Sequence, residues 1–332
     1  MITNAHDEKR HSRRVRRTKL LYWAVVAALL LLTPSLWILG DNRAEIQGRW
    51  LIDFERDDAI QLTLQRRSDG HQSWNSSSGF SLRDFQGLRR PAGAADVPVR
   101  FEMLRDAGTI SFEGQLNESG GGGRFRFAPN PEYVAALTKT GYGSPDADLL
   151  FSLAVHDVSR AFMRELEGLG YKHSPLDDLL SMRIHGAGPE FIRELKSLGY
   201  EGLSADDLVS MRIHGATAEF IRQMKSLGYD HLSPDDLVSM RIHGASPEFV
   251  RDLRSLGYTN LSADDLVSMR IHGVSPEFIR GLQELGYRNV SAEDLVSMRI
   301  HGVSIDYVKK MKARFRNVSV DELVEMRIHG RN

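Results

Sequence analysis

Residues 275–302 read SPEFIRGLQELGYRNVSAEDLVSMRIHG, and this stretch decides the fold of the larger part of the chain. Ser275 is a typical helix N-cap, and Pro276 fits the first helical position, where the missing N–H of proline has no partner to lose. Apolar residues follow at helical spacing from Phe278 to Leu285. We therefore predict a short amphipathic helix with one buried stripe.

The second half of the stretch carries the same signals. Gly286 ends the first helix because glycine adopts the left-handed conformation readily, and Ser291 caps the next helix, with acidic residues in its first turn. Apolar residues recur between Leu295 and Ile300, and Gly302 closes the second helix. The stretch thus predicts a helical hairpin whose helices have about ten residues each.

This hairpin recurs with a period of 29 residues. The phrase Met-Arg-Ile-His-Gly begins at 182, 211, 240, 269, 298 and 326, so the last copy is one residue early, and a degenerate first copy ends in Val155-His156. Seven repeats therefore fill residues 131–330. Because one hairpin cannot bury its own apolar faces, neighbouring repeats must cover them, which predicts an α-solenoid. In the last repeat Arg314-Phe315 replaces Gly-Tyr, as expected of a terminal unit that faces water.

One histidine recurs in every repeat, at His156, His185, His214, His243, His272, His301 and His329. We expect it in the last helical turn, where its side chain would hydrogen-bond free carbonyls and favour the negative helix end. A ladder that responds to pH is the alternative. A metal site would need converging ligands, such as histidines four residues apart, and the sequence holds no such pair. We expect the neighbouring charges, for instance Arg212 with Asp206 and Asp207, to form salt bridges between repeats.

Residues 45–129 show a period of two instead. Apolar and polar residues alternate over 50–54 and 60–64, for example, which is typical of strands with one buried face. Residues 105–108 read as a hairpin turn, and so does the glycine-rich run 117–123. We predict a small β domain of six or seven antiparallel strands, forming a sandwich or an open barrel.

Two features of this domain bear on whether it binds a ligand. The glycine run lacks the Lys-Ser/Thr of a phosphate-binding loop, so we interpret it as a flexible turn. Gly48-Arg49-Trp50 weakly resembles the Gly-x-Trp start of lipocalins, and a ligand-binding barrel is therefore an alternative to a Trp that belongs to the core.

An uncharged apolar run covers residues 20–39. As a helix it would be about 30 Å long, the thickness of the hydrocarbon core of a bilayer. Residues 1–19 hold seven Lys/Arg and two Asp/Glu, which predicts a basic cytoplasmic tail and an extracytoplasmic remainder. A cleaved signal peptide is the alternative, but the apolar run is long and no Ala-x-Ala site follows it. We therefore predict a membrane-anchored α+β protein with one transmembrane helix as signal anchor.

Composition excludes several functional classes. The 332 residues include no cysteine, so the chain has no disulfide scaffold, thiol nucleophile or Cys-ligated metal site. Outside the basic tail, 36 basic residues stand against 42 acidic ones, which does not favour a nucleic-acid partner. The sequence also lacks His-Glu-x-x-His, Gly-x-Ser-x-Gly, Walker and dinucleotide motifs. We therefore predict no catalytic residue, no metal and no cofactor.

Several motifs together point to a family. GRW at 48–50, RDAGTISFEG at 105–114, GGGGRFRFAPNPEY at 120–133 and the GY…DDL…MRIHG repeats resemble the extracytoplasmic tails of some bacterial membrane proteins. These include tails of BlaR/MecR-like M56 antirepressor metallopeptidases. The resemblance implies a bacterial origin and a role outside the inner membrane. It carries over no catalytic residue, because the protease domain of that family and its His-Glu-x-x-His motif are absent here.

These observations lead to one functional expectation and two alternatives. We expect a non-enzymatic, single-pass protein of the bacterial inner membrane whose periplasmic repeats bind another protein. The variable positions 201–202, 230–231 and 259–260, between the two helices of a repeat, are candidate contact points. A sensor that passes a periplasmic signal to the cytoplasm is one alternative. An M56-like peptidase is the other, and the missing zinc motif disfavours it.

Overall fold

A computed structural model describes residues 46–55, 58–67, 73–315 and 317–330. The chain divides into two compact units, Met1–Ala44 and Glu45–Asn332, and all described residues belong to the second. The predicted tail over 1–19 lies outside the described residues.

The first part of the described chain is an antiparallel sheet. Its strands are β1 Ile46–Phe54, β2 Ala59–Arg67, β3 Ser73–Ser81, β4 Val97–Arg105, β5 Gly108–Leu116 and β6 Gly120–Pro129. Their order in the sheet is β3-β2-β1-β6-β5-β4, so two three-stranded meanders join where β1 pairs with β6. After β3 the chain makes a short 3-10 turn at Leu82–Asp84, and Gln86 then forms an antiparallel bridge with Glu102 of β4.

The sheet is strongly curved around an aromatic core. Two strands separate β1 from β4, yet the ring centroids of Trp50 and Phe101 lie only 5.2 Å apart. In a flat sheet these strands would be about 14 Å apart. Phe112 stacks on Phe101 at 4.7 Å, and the Trp50 indole N–H donates to the carbonyl of Glu113 over 3.2 Å. Aromatic side chains therefore fill the space around Trp50, which supports the reading of this residue as core.

The six described strands agree with the predicted number, but one of the two predicted arrangements and the extent of one predicted turn are wrong. The strands form one curved sheet and not a sandwich, because a helix rather than a second sheet covers its apolar face (below). The glycines at 120–123 lie within β6, where all four pair with β1 and the last three also pair with β5, so the turn is confined to 117–119. Opposite them Gly114 makes room for the core, since a Cβ there would lie 2.7 Å from Cζ2 of Trp50.

Fourteen α-helices follow within the described residues. They are α1 Pro131–Lys139, α2 Ala147–Val155, α3 Arg160–Gly168, α4 Leu176–His185, α5 Pro189–Ser197, α6 Ala205–His214, α7 Ala218–Ser226, α8 Pro234–His243, α9 Pro247–Ser255, α10 Ala263–Ile271, α11 Pro276–Glu284, α12 Ala292–Ile300, α13 Ile305–Arg314 and α14 Val320–Ile328. Each repeat thus contributes a first helix with an odd number and a second helix with an even number.

Equivalent helices of neighbouring repeats pack side by side. The second helix of each repeat contacts the second helix of the next repeat. From α3 onward, the first helices of neighbouring repeats also contact each other. The buried stripe of a second helix is short, as in α6, where Leu208 and Met211 are fully buried. The two rows of stacked helices are consistent with the predicted helical repeats.

The helix ends follow from local chemistry. Ser204 accepts the backbone N–H of Asp207, whose carboxylate accepts the N–H of Ser204 in return, so α6 begins with a capping box. Gly215 follows the helix with a φ of 74°, the left-handed conformation expected of a C-terminal glycine.

The sheet and the helices share one hydrophobic core. Helix α2 packs against β1, β5 and β6, and its Phe151 stacks on Phe125 with 5.4 Å between the ring centroids. Outside this contact Arg66 of β2 pairs with Asp148 at 2.5 Å. The first repeat therefore buries the face of the sheet that a second sheet would cover in a sandwich.

The membrane-anchored fold class predicted from the sequence is corrected here. Among the described residues no helix is both long enough and apolar enough to cross a membrane. The helices have nine or ten residues, about 15 Å, whereas a hydrocarbon core is about 30 Å thick. The predicted transmembrane segment 20–39 itself lies outside the described residues. The fold shown is α+β, with one antiparallel sheet and stacked helices.

Candidate functional site

The most regular surface of the molecule lies where the second helices end. We call it the Arg-Ile-His edge, and it consists of Arg183–His185, Arg212–His214, Arg241–His243, Arg270–His272, Arg299–His301 and Arg327–His329. Each rung of this edge is the last turn of one second helix, and stacking of these helices brings the rungs side by side.

The isoleucine of each rung faces solvent. The exposed fraction is 48 to 55% at Ile184, Ile213, Ile242, Ile271, Ile300 and Ile328. The methionine two residues earlier is fully buried in five of the six rungs, for example at Met211. The isoleucines therefore form an apolar row that the fold itself does not cover.

The histidines of the edge also face solvent. They are the last helical residue at His185, His214 and His243 and the cap residue at His272, His301 and His329. In the part of the chain that the structure describes, the only polar side-chain contact of these six is His329 Nε2 with Glu325 Oε2, at 3.2 Å. The predicted bonds from histidine side chains to helix carbonyls are therefore not formed in these six rungs, although His185, His214 and His243 do lie in the last helical turn, as expected.

His156, in the degenerate first repeat, differs from the other six. It is the cap residue of α2 and is half-buried, and this burial lowers the pKa of its imidazole. Over the described ranges no group of three or more His, Asp or Glu side chains is arranged to hold a metal ion.

The arginine of each rung stacks on an aromatic ring of its own repeat. The guanidinium carbon of Arg212 lies 5.0 Å from the ring centroid of Phe191. The other pairs lie between 5.0 and 5.1 Å, and they are Arg183–Phe162, Arg241–Phe220, Arg270–Phe249, Arg299–Phe278 and Arg327–Tyr307. Such cation–π contacts hold the guanidinium in a fixed place.

The predicted salt bridge of Arg212 with Asp206 or Asp207 is wrong. Asp207 is committed to the capping box at the start of the helix, and Arg212 lies on Phe191 near its other end. The opposite face of the Arg212 guanidinium lies against the preceding repeat. A Cβ placed on Gly186 of that repeat would lie only 3.0 Å from Nη2 of Arg212. The cation is thus wedged between a ring and the negative end of the preceding helix, which favours it.

The first rung shows what the arginine can bind. Arg183 donates from Nη2 to Oδ2 of Asp157 over 2.9 Å and from Nε to the carbonyl of His156 over 3.1 Å. Asp157 occupies the position that is Gly186 in the next repeat, and it has a φ of 54°, the left-handed region that a non-glycine residue rarely adopts. A carboxylate therefore fits against the stacked guanidinium at this position.

A recess opens between the second and third repeats beside the edge. It has a volume of about 310 Å³, with Met182 and Phe191 among its lining residues. Arg183 and Arg212 line it together with Glu194. The recess therefore offers apolar surface and both signs of charge.

Two further ladders join the repeats, and the sequence analysis did not identify them. In the Gly-Tyr pairs from Gly170-Tyr171 onward, the tyrosine hydroxyl donates to a backbone carbonyl of the next repeat over 2.7 to 2.9 Å; the bonded residues are Tyr171–Leu203, Tyr200–Leu232, Tyr229–Leu261, Tyr258–Val290 and Tyr287–Val318. In the other direction Lys196 and Lys225 donate to the carbonyls of Leu169 and Leu198, each over 2.8 Å. The 29-residue recurrence of Tyr was the available signal, but its partner lies 31 or 32 residues away and becomes visible only in three dimensions.

Comparisons of the chain with protein families, with curated proteins and with solved structures give no match. The resemblance to the tails of BlaR/MecR-like antirepressors stays a prediction.

Proposed function

We propose that this chain is a non-enzymatic repeat scaffold that binds another protein through the Arg-Ile-His edge. The observation that carries the proposal is the row of six half-exposed isoleucines. Contiguous apolar surface that a fold leaves uncovered is typical of an interaction site. Stacked repeats are suited to this role because they present long, regular surfaces.

The internal repeats separate structural constraint from surface function. Within Met-Arg-Ile-His-Gly, the methionine fills the core, the arginine stacks on a ring and the glycine adopts a left-handed conformation. Isoleucine and histidine have no comparable structural task in the described residues, yet both are identical in six rungs. An exposed loop position varies freely by contrast, as Lys172, Glu201, Asp230, Thr259 and Arg288.

The dimensions of the row suit a protein partner. Packed helices lie about 8–10 Å apart, so six rungs span about 40–50 Å. A surface of that length can bury the area of a standard protein–protein interface, about 800 Å² on each partner. The flanking arginines and histidines supply the polar rim that such interfaces usually have.

Site-specific photo-crosslinking in the producing cells tests this proposal. The photoreactive residue p-benzoylphenylalanine replaces Ile213, Ile242 or Ile271 in turn, and a matched set places it at Glu201, Asp230 and Thr259. These control positions are also exposed, and they are among the contact points predicted from sequence. We expect one discrete adduct from all three edge positions and none from the controls. Adducts confined to the control set, or absent from both sets, would overturn the proposal.

A further inference from the structure

We infer that the partner presents carboxylates from an extended segment, with one carboxylate for every third residue, to the arginines of the edge. The inference rests on the proposed function, because it names the chemistry of the partner that the edge would bind. Two observations carry it: unpaired stacked arginines in the middle rungs, and a carboxylate of the chain itself on the first.

The middle rungs hold cations without an acidic partner. Arg241 and Arg270 are exposed, and in the described part of the chain each contacts a ring but makes no hydrogen bond or ion pair. Arg299 is half-buried, and its Nε is buried without a hydrogen-bond partner. A guanidinium has five N–H donors, and its planar geometry matches a carboxylate.

Asp157 supplies the internal precedent. Its carboxylate meets Arg183 at the register where later repeats have glycine. Gly215, Gly244 and Gly273 would each bring a Cβ to within 3.1 to 3.4 Å of Nη2 of the next arginine. The same guanidinium position thus binds a carboxylate in the first rung and has none from the described residues in these later rungs.

Other charges near the edge do not fill this role. Glu219, Glu248 and Glu277 lie in the first turn of the first helix of their repeats, where each pairs with an arginine three residues later at 3.1 to 3.5 Å. Glu190 and Glu194 line the recess beside Arg212. An external carboxylate is therefore expected at Arg241, Arg270 and Arg299 more than at Arg212.

The spacing of the rungs selects the conformation of the partner. Arginines on successive helices recur at the helix spacing of about 8–10 Å. A polyproline II segment returns to the same face every three residues, about 9.3 Å apart. A β-strand repeats on one face at about 6.7 Å, which does not match. A polyproline II segment with an acid at every third position therefore meets each rung in register, and its apolar residues contact the isoleucines.

Fluorescence anisotropy with synthetic peptides tests the inference on the full chain. The probe is fluorescein-labelled (Glu-Leu-Pro)6, and the matched control is (Gln-Leu-Pro)6. We expect saturable binding of the glutamate peptide that weakens as salt is added, and at least about tenfold weaker binding of the glutamine peptide. Equal binding of both peptides, or no binding of the glutamate peptide at about 1 mM protein, would overturn the inference.

Variants that copy the first rung localise the binding. Gly215→Asp, Gly244→Asp and Gly273→Asp combined would place a carboxylate on each middle arginine, as Asp157 does on Arg183. The same three changes to Asn tolerate the left-handed backbone equally and add no charge. The Asp variant should lose at least about tenfold in affinity while the Asn variant binds like the unmodified chain. Equal affinities of the two variants would contradict the arginine site.

A second variant covers the case that the triple Asp chain does not fold. Arg241→Gln with Arg270→Gln removes two exposed cations and should also lose at least about tenfold, and unchanged affinity there overturns the inference. The two proposals fail separately. Crosslinks at the edge isoleucines without peptide binding would leave the scaffold function in place and refute only the acidic, extended partner.

Discussion

The carboxylate of Asp106 binds both the backbone N–H and the guanidinium of Arg160, which lies 54 residues later in the chain. Its Oδ2 accepts the backbone N–H over 2.8 Å and the Nε–H over 2.9 Å. Asp106 sits in the turn between β4 and β5, and Arg160 begins α3. The hairpin turn of the sheet thereby caps a helix of the second repeat and fixes the sheet to the end of the stack.

Asp106→Asn should destabilise the chain in a pH-dependent manner. Hydrogen bonds from Arg160 hold the pKa of Asp106 below its usual value, which is about 3.9 in an unfolded chain. Its stabilising contribution is therefore complete above that value and is lost as the pH falls through the folded pKa. We expect a loss of about 1–2 kcal/mol near pH 7 that shrinks below about pH 4. Urea unfolding of both chains between pH 3 and 7 measures it.

Asp230→Asn is the control for this experiment, since Asp230 lies in an exposed loop. It should leave the free energy of unfolding unchanged over the same pH range. A pH-independent loss in Asp106→Asn would show that the carboxylate contributes by shape and hydrogen bonding alone.

Replacement of Asp157 by glycine should destabilise the chain less than replacement by alanine. Its left-handed φ of 54° strains any residue with a Cβ, and asparagine less than most. Alanine keeps the strain and loses the ion pair with Arg183, so Asp157→Ala should cost about 1–2 kcal/mol. Asp157→Gly loses the same pair but relieves the strain, and it should cost less. Urea midpoints of the two variants give the order, and a glycine variant less stable than the alanine variant would contradict it.

The repeat period and most helix ends were predictable because they depend on local residues. Serine at Ser204 and glycine at Gly215 act within one helical turn, and the 29-residue recurrence needs no knowledge of packing. The stacking of Arg212 on Phe191 was not predictable in this way. The two residues are 21 positions apart and meet only because the two helices of a repeat fold against each other.

The errors have two physical origins: competition for the same charged group, and contacts between distant segments. Arg212 and Asp207 looked like a pair by charge, but a capping bond within one turn engages the aspartate first. Alternation of apolar and polar residues identified strands but not the number of sheets, since it reports only that one face is buried. Phe151 of the first repeat covers that face, a contact between segments that no strand pattern encodes.

The tyrosine ladder should contribute to coupling between repeats. Tyr229→Phe removes the hydroxyl that donates to Leu261, and we expect a loss of about 0.5–1.5 kcal/mol in the free energy of unfolding. Tyr142→Phe is the matched comparison, because the buried hydroxyl of Tyr142 faces the backbone of His173 without a well-directed hydrogen bond. That variant should lose less than Tyr229→Phe. Equal losses in both variants would mean that the hydrogen bond adds nothing.

The same ladder predicts a sensitivity to alkaline pH. Burial raises the pKa of Tyr200, Tyr229 and Tyr258 above their value of about 10 in the unfolded chain. Their stabilising contribution is complete below about pH 10 and is lost as the pH rises through the folded pKa. Stability should therefore fall above about pH 10, and less steeply in a Tyr200→Phe, Tyr229→Phe, Tyr258→Phe chain. Urea unfolding at pH 8 to 11 provides the measurement, and identical pH profiles would refute it.

Ile213 and Met211 lie in the last turns of the same helix and should respond oppositely to truncation. Met211 is fully buried, so Met211→Ala should cost about 2–5 kcal/mol through lost contacts and the cavity left behind. Ile213 is 54% exposed, so Ile213→Ser should change stability by no more than about 0.5 kcal/mol. Urea unfolding at two protein concentrations compares them. A large, concentration-dependent loss for Ile213→Ser would show that a second copy of the chain covers this row, whereas a large loss independent of concentration would show that the isoleucine packs within the fold.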